Sequence, residues 1–337
     1  MDKRNATLAV ITVEKETMSK DGLSPVGEIA ADMGLVRRSR TPQARHHFTL
    51  ADQAVALVEA SEADSDMGFM ARLMALCSLP RTNPGNRLQY TRVNGPYKLI
   101  MIAGGDNKLP FGNLPRLLLA WVCTEAVRTQ SRVLVLGTSL SEFMRKLGVF
   151  GSDSGGSRGD RTRLRNQMKR LFHASVQLIH EDKQGIMSVS SFVADRTELW
   201  WDPKRPDEAV LWESKIELGE KFFNEIINRP VPMDMNILKA LKRSSVGLDL
   251  YQWLTYRTFS LQSPLRLSWR QLYRQFGADP AKESNKLTVN DFRKDCLREL
   301  KKIKTAWPDL NYSTATGVLV LLPSKPTIKP TRLQVVK

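Results

Sequence analysis

Four residues near the C-terminus have the types and spacing that binding to a polyanion requires. Between Thr288 and Trp307 apolar residues recur every three or four positions, which places them on one face of a predicted helix. These inward residues are Phe292, Cys296, Leu300, Ile303 and Trp307. The opposite face carries Lys294, Arg298, Lys301 and Thr305. Lysine and arginine bind phosphate, and arginine also reads guanine through two hydrogen bonds, so this face could hold DNA. A charged face that is merely solvated is the competing interpretation.

A second basic helix with the same design is predicted from Asp160 to His173. Its inward positions are apolar: Leu164, Met168, Leu171 and Phe172. Its outward positions are Arg163, Asn166, Lys169 and Arg170. Asparagine can pair with adenine in the major groove, and the three cations suit phosphate, so this helix could serve a neighbouring groove or the DNA backbone.

The two basic helices stand at equivalent places in two copies of one element order. The segment SLSEFMRKLGV at 139–149 aligns without gaps with SWRQLYRQFGA at 268–278, and each begins with a predicted capping box and stops at a glycine. A long apolar helix and a short strand precede each segment. A predicted hairpin follows each basic helix, at 176–192 and 311–322. Thr288 and Asp291 are predicted to form the capping box that starts the C-terminal basic helix.

This order of helix, strand, helix, basic helix and hairpin is typical of winged helix-turn-helix domains. We therefore predict an α+β fold, predominantly helical, with two tandem winged helix-turn-helix domains and short β-hairpin wings. The predicted parts are a partly ordered N-terminal arm at 1–66, a first domain at 67–197, an aromatic and proline-containing connector at 198–232, a second domain at 233–323 and a tail at 324–337. The first domain opens with a predicted apolar helix at 67–79 and a hairpin that turns at Asn94-Gly95. In the connector, packing is favoured over base stacking for Trp200 and Trp201.

The composition suits a polyanionic partner. The 337 residues carry a formal charge of +16 and are 42% hydrophobic, which is enough for a folded core. Ribosomal and membrane-surface partners fit this charge equally well.

The sequence contains neither an apolar window of about 20 residues nor an export signal, so we expect a soluble cytoplasmic protein. Cys77, Cys123 and Cys296 stand among apolar residues and are predicted to be buried thiols.

The motifs of several enzyme classes are missing from the sequence. It has no G-x-x-x-x-G-K-[ST] loop, which argues against an ATP-driven initiator or helicase. Rolling-circle initiators need two histidines separated by one hydrophobic residue and a tyrosine nucleophile. Here His46 and His47 are adjacent, and His173 and His180 are seven positions apart. We expect no enzyme activity, no catalytic residue, no metal and no cofactor.

Residues from about 109 to 322 resemble the RepA-type plasmid replication initiators of bacteria. The resemblance lies in LPFGNLPRLLLAWVCTEAVRT (109–129), LGTSLSEFMRKLGV (136–149), RTRLRNQMKRLF (161–172), ELWWDPKRPDEAVLWES (198–214), FFNEII (222–227) with RPVPMDMNILKALKRS (229–244), and DLYQWLTYR (249–257). It implies tandem winged-helix modules, binding to repeated duplex sites at a plasmid origin, and recruitment of the host initiator, helicase or helicase loader. It also implies self-association as a dimer.

Two other functions fit the same elements. A winged-helix transcriptional regulator, such as an autorepressor, would use both modules without recruiting a replisome. Alternatively, one module could be an oligomerisation domain whose basic helix is only surface. A dimeric initiator that represses its own promoter would combine the first two functions. Direct repeats and an A·T-rich stretch beside the gene would favour initiation.

Overall fold

A computed structural model describes residues 67–149, 159–202, 204–205, 207–228, 230–278 and 285–328. The predicted arm at 1–66, the loop at 150–158 and the end of the predicted tail lie outside these residues. Of the described residues, 40% are helical and 26% are in strands. The fold is therefore mixed α and β as predicted, but the expectation that it is predominantly helical is not confirmed.

The first elements comprise a strand, a short helix and a hairpin. They are β1 (Met67–Ala71), α1 (Arg72–Leu76), β2 (Gln89–Asn94) and β3 (Tyr97–Ile102). The hairpin of β2 and β3 turns at Gly95, whose φ of +57° suits a residue without a side chain, as predicted. The helix predicted at 67–79 is wrong over its first five residues. These form β1, which pairs antiparallel with residues 230–234.

The first copy of the repeated order contains the predicted elements. They are α2 (Leu114–Thr129), β4 (Val133–Gly137), α3 (Leu140–Lys146), α4 (Asp160–Phe172), β5 (Ser175–Glu181) and β6 (Ile186–Phe192). Ser139 caps α3, because its hydroxyl accepts a hydrogen bond from the Glu142 N–H at 3.2 Å. The Glu142 carboxylate lies 3.1 Å from Lys146 Nζ.

Five elements separate the two copies along the chain. They are β7 (Ala194–Glu198), β8 (Ser214–Leu218), α5 (Glu220–Asn228), β9 (Pro230–Asp234) and α6 (Met235–Ala240). The tryptophans of the predicted connector divide into two groups. Trp201 is buried, donates to the Gly137 carbonyl at 3.2 Å and packs on Phe143, whereas Trp200 and Trp212 are exposed.

The second copy follows the same order, with a longer basic helix and shorter strands. It comprises α7 (Ser245–Thr258), β10 (Leu265–Ser268), α8 (Trp269–Phe276), α9 (Lys286–Ala306), β11 (Tyr312–Ala315) and β12 (Val318–Leu321). The capping box predicted at Ser268 and Gln271 is observed in full.

The two copies differ in how their strands pair. In the second copy β10 pairs with β12, with Leu267 opposite Leu319, and the sheet order is β10-β12-β11. In the first copy β4 pairs with β8 rather than with the hairpin that follows α4, in a sheet of order β4-β8-β7. That hairpin instead extends the N-terminal one, giving the sheet β2-β3-β5-β6. Equal element order therefore produces two different sheet arrangements, and the predicted equivalence of two winged modules is not confirmed.

The cysteines lie where the sequence places them. Cys77, Cys123 and Cys296 are all buried free thiols. Burial raises the pKa of Cys77 and of Cys123 to about 12. It also raises the pKa of Cys296. Because an apolar interior disfavours the thiolate, all three remain neutral packing residues at ordinary pH.

A buried ion pair joins the two copies. Arg116 of α2 donates from Nε and Nη2 to the two carboxylate oxygens of Asp249 on α7, at 2.6 and 2.7 Å. Its remaining N–H groups donate to the carbonyls of Leu79, Pro80 and Gly112. All five guanidinium N–H groups therefore have acceptors. These hydrogen bonds and the ion pair offset the free energy that is lost when the charge is removed from water.

We expect Asp249→Asn to lower the free energy of unfolding by about 3–5 kcal/mol, because it leaves the buried Arg116 cation without its counter-charge. Asp195→Asn is the matched control. It breaks a pair in which Asp195 lies 2.6 Å from Arg132, but both of those side chains are partly exposed and the cost should be about 0–1 kcal/mol. Urea denaturation of the full chain measures both values. Equal losses in the two variants would contradict the role assigned to Asp249.

Candidate nucleic-acid interface

The C-terminal basic helix α9 begins earlier than predicted. Asn285 is its N-cap, since Asn285 Oδ1 accepts from the N–H groups of Leu287 and Thr288 at 3.0 and 3.2 Å. Thr288 and Asp291 therefore lie inside the helix, and the capping box predicted for them is wrong. Asp291 instead contacts Lys294, with Oδ1 and Nζ 3.1 Å apart.

The inward face of α9 is buried as predicted. Phe292, Cys296, Leu300, Ile303 and Trp307 are each 3% exposed or less. Phe292 meets the ring of Tyr273 on α8 edge-on at 5.3 Å, and Trp307 meets Tyr251 on α7 at 6.3 Å. Trp307 Nε1 also donates to the Lys325 carbonyl at 2.9 Å. These contacts fix the rotation of the helix about its axis and therefore decide which residues point outward.

All four predicted outward residues of α9, Lys294, Arg298, Lys301 and Thr305, are exposed. Their surroundings differ. Lys294 pairs with Asp291, and Thr305 Oγ1 donates to the Lys301 carbonyl at 3.1 Å. The Lys301 ammonium makes no hydrogen bond or ion pair with the residues that the structure describes. A ligand that contacted Lys301 would therefore displace no partner among the described residues.

A row of carboxylates runs beside the basic row. Asp291, Asp295 and Glu299 each contact the cation three residues later, at distances of 3.1, 2.8 and 3.0 Å. The third cation, Lys302, was not among the residues predicted for the site, although its spacing from Glu299 could have indicated it. The hydrogen bond that Arg298 donates to Asp295 raises the pKa of Arg298 above its ordinary value, so this guanidinium stays charged.

The outward residues of α4 are less uniform than predicted. Arg163 and Asn166 are exposed, and Arg163 lies 3.2 Å from Asp160. Lys169 Nζ contacts Asp106 at 3.3 Å. Arg170 lies 5.3 Å from the centre of the Phe111 ring, where partial burial lowers its pKa. Half of the predicted set therefore contacts the protein's own loop at 106–111.

Polar side chains of the N-terminal segment, before the first copy, donate to the end of α8, which packs against α9. Arg92 donates to the carbonyls of Arg274 and Gly277 at 3.0 and 2.8 Å, and Ser78 donates to the Gln275 carbonyl at 2.8 Å. Cations are favourable at the end of a helix because its last carbonyls lack partners within the helix. Local sequence patterns carry no signal for these contacts, since the partners are nearly 200 residues apart.

A further arginine connects this cluster to the basic helix. Arg81 Nη1 donates to the Phe276 carbonyl at 3.5 Å, and its Nη2 lies 3.8 Å from Asp295 on α9. Burial lowers the pKa of Arg81, while the nearby carboxylates of Asp249 and Asp295 oppose that shift. Arg81 therefore links the N-terminal segment to the acidic row beside the outward face.

Within the described residues, the side chains form no cluster of three His, Cys, Asp or Glu residues that could hold a metal ion. None of the described helices is both long enough and apolar enough to cross a membrane.

Comparisons with known proteins assign the central part of the chain. Residues 109–271, just under half of the sequence, match the family model RepA_C, which describes the plasmid-encoded RepA protein. The resemblance to RepA-type initiators found in the sequence is therefore confirmed over residues 109–271, which match this replication initiator domain. A comparison with curated protein sequences gave no match.

Two solved structures are similar to this chain. One is a crystal structure of selenomethionine derivatives of domains 2 and 3 of RctB. The match has 14% sequence identity, covers 74% of this chain and 95% of the RctB chain, and has a TM-score of 0.47. A second crystal structure of RctB domains 2–3, also 14% identical, covers 74% of this chain and 94% of that chain, with a TM-score of 0.41.

The corrected start of α9 makes a direct prediction. Asn285→Ala should lower the free energy of unfolding by about 0.5–2 kcal/mol, because two N–H groups of the first turn lose their acceptor. Thr288→Ala should change it by less than about 0.5 kcal/mol, since Asn285 supplies the cap. Urea denaturation of the two variants measures both free energies of unfolding. A larger loss of stability from Thr288→Ala than from Asn285→Ala would place the N-cap at Thr288 instead.

Proposed function

We propose that the protein is a plasmid replication initiator that binds repeated duplex DNA sites at an origin. The observation that carries this proposal is α9, in a chain that contains a RepA family domain. Its apolar face is fixed in the core, and its exposed face presents Lys294, Arg298, Lys301 and Thr305. Such a face suits the major groove, which admits one α-helix and offers base edges between two rows of phosphate.

The second copy would act as a winged helix-turn-helix module. Its helices α8 and α9 would form the turn motif, and the hairpin of β11 and β12 would be the wing. Support comes from the sheet β10-β12-β11, which pairs β10, the strand immediately before α8, with that hairpin. The first copy would contact DNA through Arg163 and Asn166, with Lys169 and Arg170 contributing less because they contact Asp106 and Phe111.

The remaining parts of the proposal follow from the family. The initiator would act in the bacterial cytoplasm, recruit the host initiator, helicase or helicase loader, and self-associate as a dimer. It would be a binding protein rather than an enzyme. The formal charge of +16 would draw the chain to DNA in general, and the outward side chains of α9 would then select the site.

Binding to duplex DNA should depend strongly on salt. Each phosphate that is neutralised contributes about −0.9 to the slope of log K against log salt, because it releases condensed counterions. Lys301→Ala should reduce the magnitude of that slope by about 1, since this ammonium has no partner among the described residues that would compete with DNA. Fluorescence anisotropy with a labelled duplex at several salt concentrations measures both slopes. A wild-type slope near zero would exclude the nucleic-acid interface.

Replication in cells distinguishes an initiator from a transcriptional regulator. The gene should restore replication to a plasmid whose only origin is the DNA beside the gene and which lacks its own initiator. Arg298→Ala should lower the plasmid copy number more than Arg163→Ala, because we assign base readout mainly to α9. Repression of a reporter promoter without any replication would instead identify a regulator. The reverse order of the two variants would place the reading helix in the first copy.

A further inference from the structure

Arg298 is exposed, yet two carboxylates of its own helix restrain it. Its Nη2 donates to Asp295 Oδ1 at 2.8 Å, and its Nε donates to Glu299 Oε1 at 3.4 Å. Lys294, one turn earlier, has a single acidic partner. Among the four outward residues predicted on α9, the side chain of Arg298 is therefore the one held by two carboxylates.

The two carboxylates are themselves fixed in place. The Glu299 side chain is only 3% exposed, and both of its oxygens accept from Lys302 Nζ, at 3.0 and 3.2 Å. Asp295 faces Arg81 Nη2 of the N-terminal segment at 3.8 Å. Contacts from Lys302 and Arg81 therefore hold the two carboxylates, which in turn limit the positions that the guanidinium of Arg298 can take.

The pattern of used donors leaves one edge of the guanidinium for a ligand. Nε and Nη2 donate to the carboxylates, while Nη1 makes no hydrogen bond or ion pair with the described residues. The edge formed by Nη1 and Nη2 would present two parallel donors to a ligand. Guanine offers two adjacent acceptors, O6 and N7, in the major groove, and this pair matches such an edge.

We propose that Arg298 reads a guanine in the major groove, with Asp295 and Glu299 as positioning residues that hold its free edge toward the base. This inference rests on the proposed binding of duplex DNA and names the base that the site selects. The specificity of the C-terminal module would then depend on an ion-pair cluster that makes no contact with DNA.

The same cluster disfavours the other ligands of an arginine. A phosphate would bring a negative charge close to Asp295 and Glu299, whereas guanine has no net charge. Adenine presents a donor next to its N7, and this donor would face an N–H of the arginine. Because the carboxylates restrain the guanidinium in advance, less conformational entropy is lost when the base binds.

The test uses the full-length protein and a duplex selected from a random-sequence pool by repeated binding. Each guanine of that duplex is replaced in turn by 7-deazaguanine, which lacks the N7 acceptor. Binding of the wild type should weaken by about fivefold or more at one guanine, while Arg298→Ala should be insensitive to that replacement. A randomised duplex of equal length and composition gives the reference affinity.

Asp295→Asn and Asp291→Asn form a matched pair for the positioning role. Each removes one negative charge from α9, so each should raise affinity for the randomised duplex by a similar factor. Only Asp295→Asn should lose sensitivity to 7-deazaguanine, because Asp291 contacts Lys294 and not Arg298. Both aspartates are partly or fully exposed, and circular dichroism checks that each variant is folded.

The outcomes separate this inference from the proposed function. Salt-dependent, sequence-selective binding in which Arg298→Ala weakens both duplexes alike would leave the proposed function intact and overturn the guanine contact. Equal sensitivity of Asp295→Asn and Asp291→Asn to 7-deazaguanine would overturn the positioning role. If selection yields no preferred sequence and binding does not respond to salt, both the proposed function and the inference fail.

Discussion

The ion pair between Arg116 and Asp249 is the contact on which the arrangement of the two copies depends. It is fully buried, and each donor of the guanidinium has an acceptor on one of three segments: the chain before β2, the start of α2, and α7. A buried charge pair of this kind contributes little net stability compared with apolar packing, but it is costly to break. Its main effect is to permit one relative placement of α2 and α7 and to penalise others.

The end of α8 is also held by hydrogen bonds from arginine and serine side chains, and here the acceptors are backbone carbonyls. Its last carbonyls have no donor partner within the helix, and Arg92, Ser78 and Arg81 of the N-terminal segment donate to them. Consequently α8 of the second copy is anchored to the segment at 78–92 by hydrogen bonds that have definite directions. Hydrophobic contact alone would leave more freedom, because it is nearly independent of orientation.

The acidic row on α9 lowers the positive charge of the outward face and restrains the cations that it contacts. In the proposed function, Asp291, Asp295 and Glu299 would weaken attraction to phosphate in general. A surface without these acids would then bind any duplex more tightly, and the observed surface would give more weight to contacts that depend on the base.

Local signals in the amino-acid sequence were enough to predict several helices and hairpins. The inward stripe of α9, the capping box at Ser268 and the turn at Gly95 depend on residues a few positions apart, and all three are observed. The outward positions of α9 followed from the same periodicity. The resemblance to RepA initiators is also a property of the sequence, because it rests on several segments in a fixed order along the chain.

Pairings between distant parts of the chain were settled only when the elements packed together. The segment from Met67 became a strand because residues 230–234 offered it an edge, and β4 paired with β8 instead of with the adjacent hairpin. The sequence pattern predicts that Arg170 points outward, but in the structure its side chain lies against Phe111. Such choices depend on which surfaces meet after folding, and periodicity within a single element contains no information about the surface that it will meet.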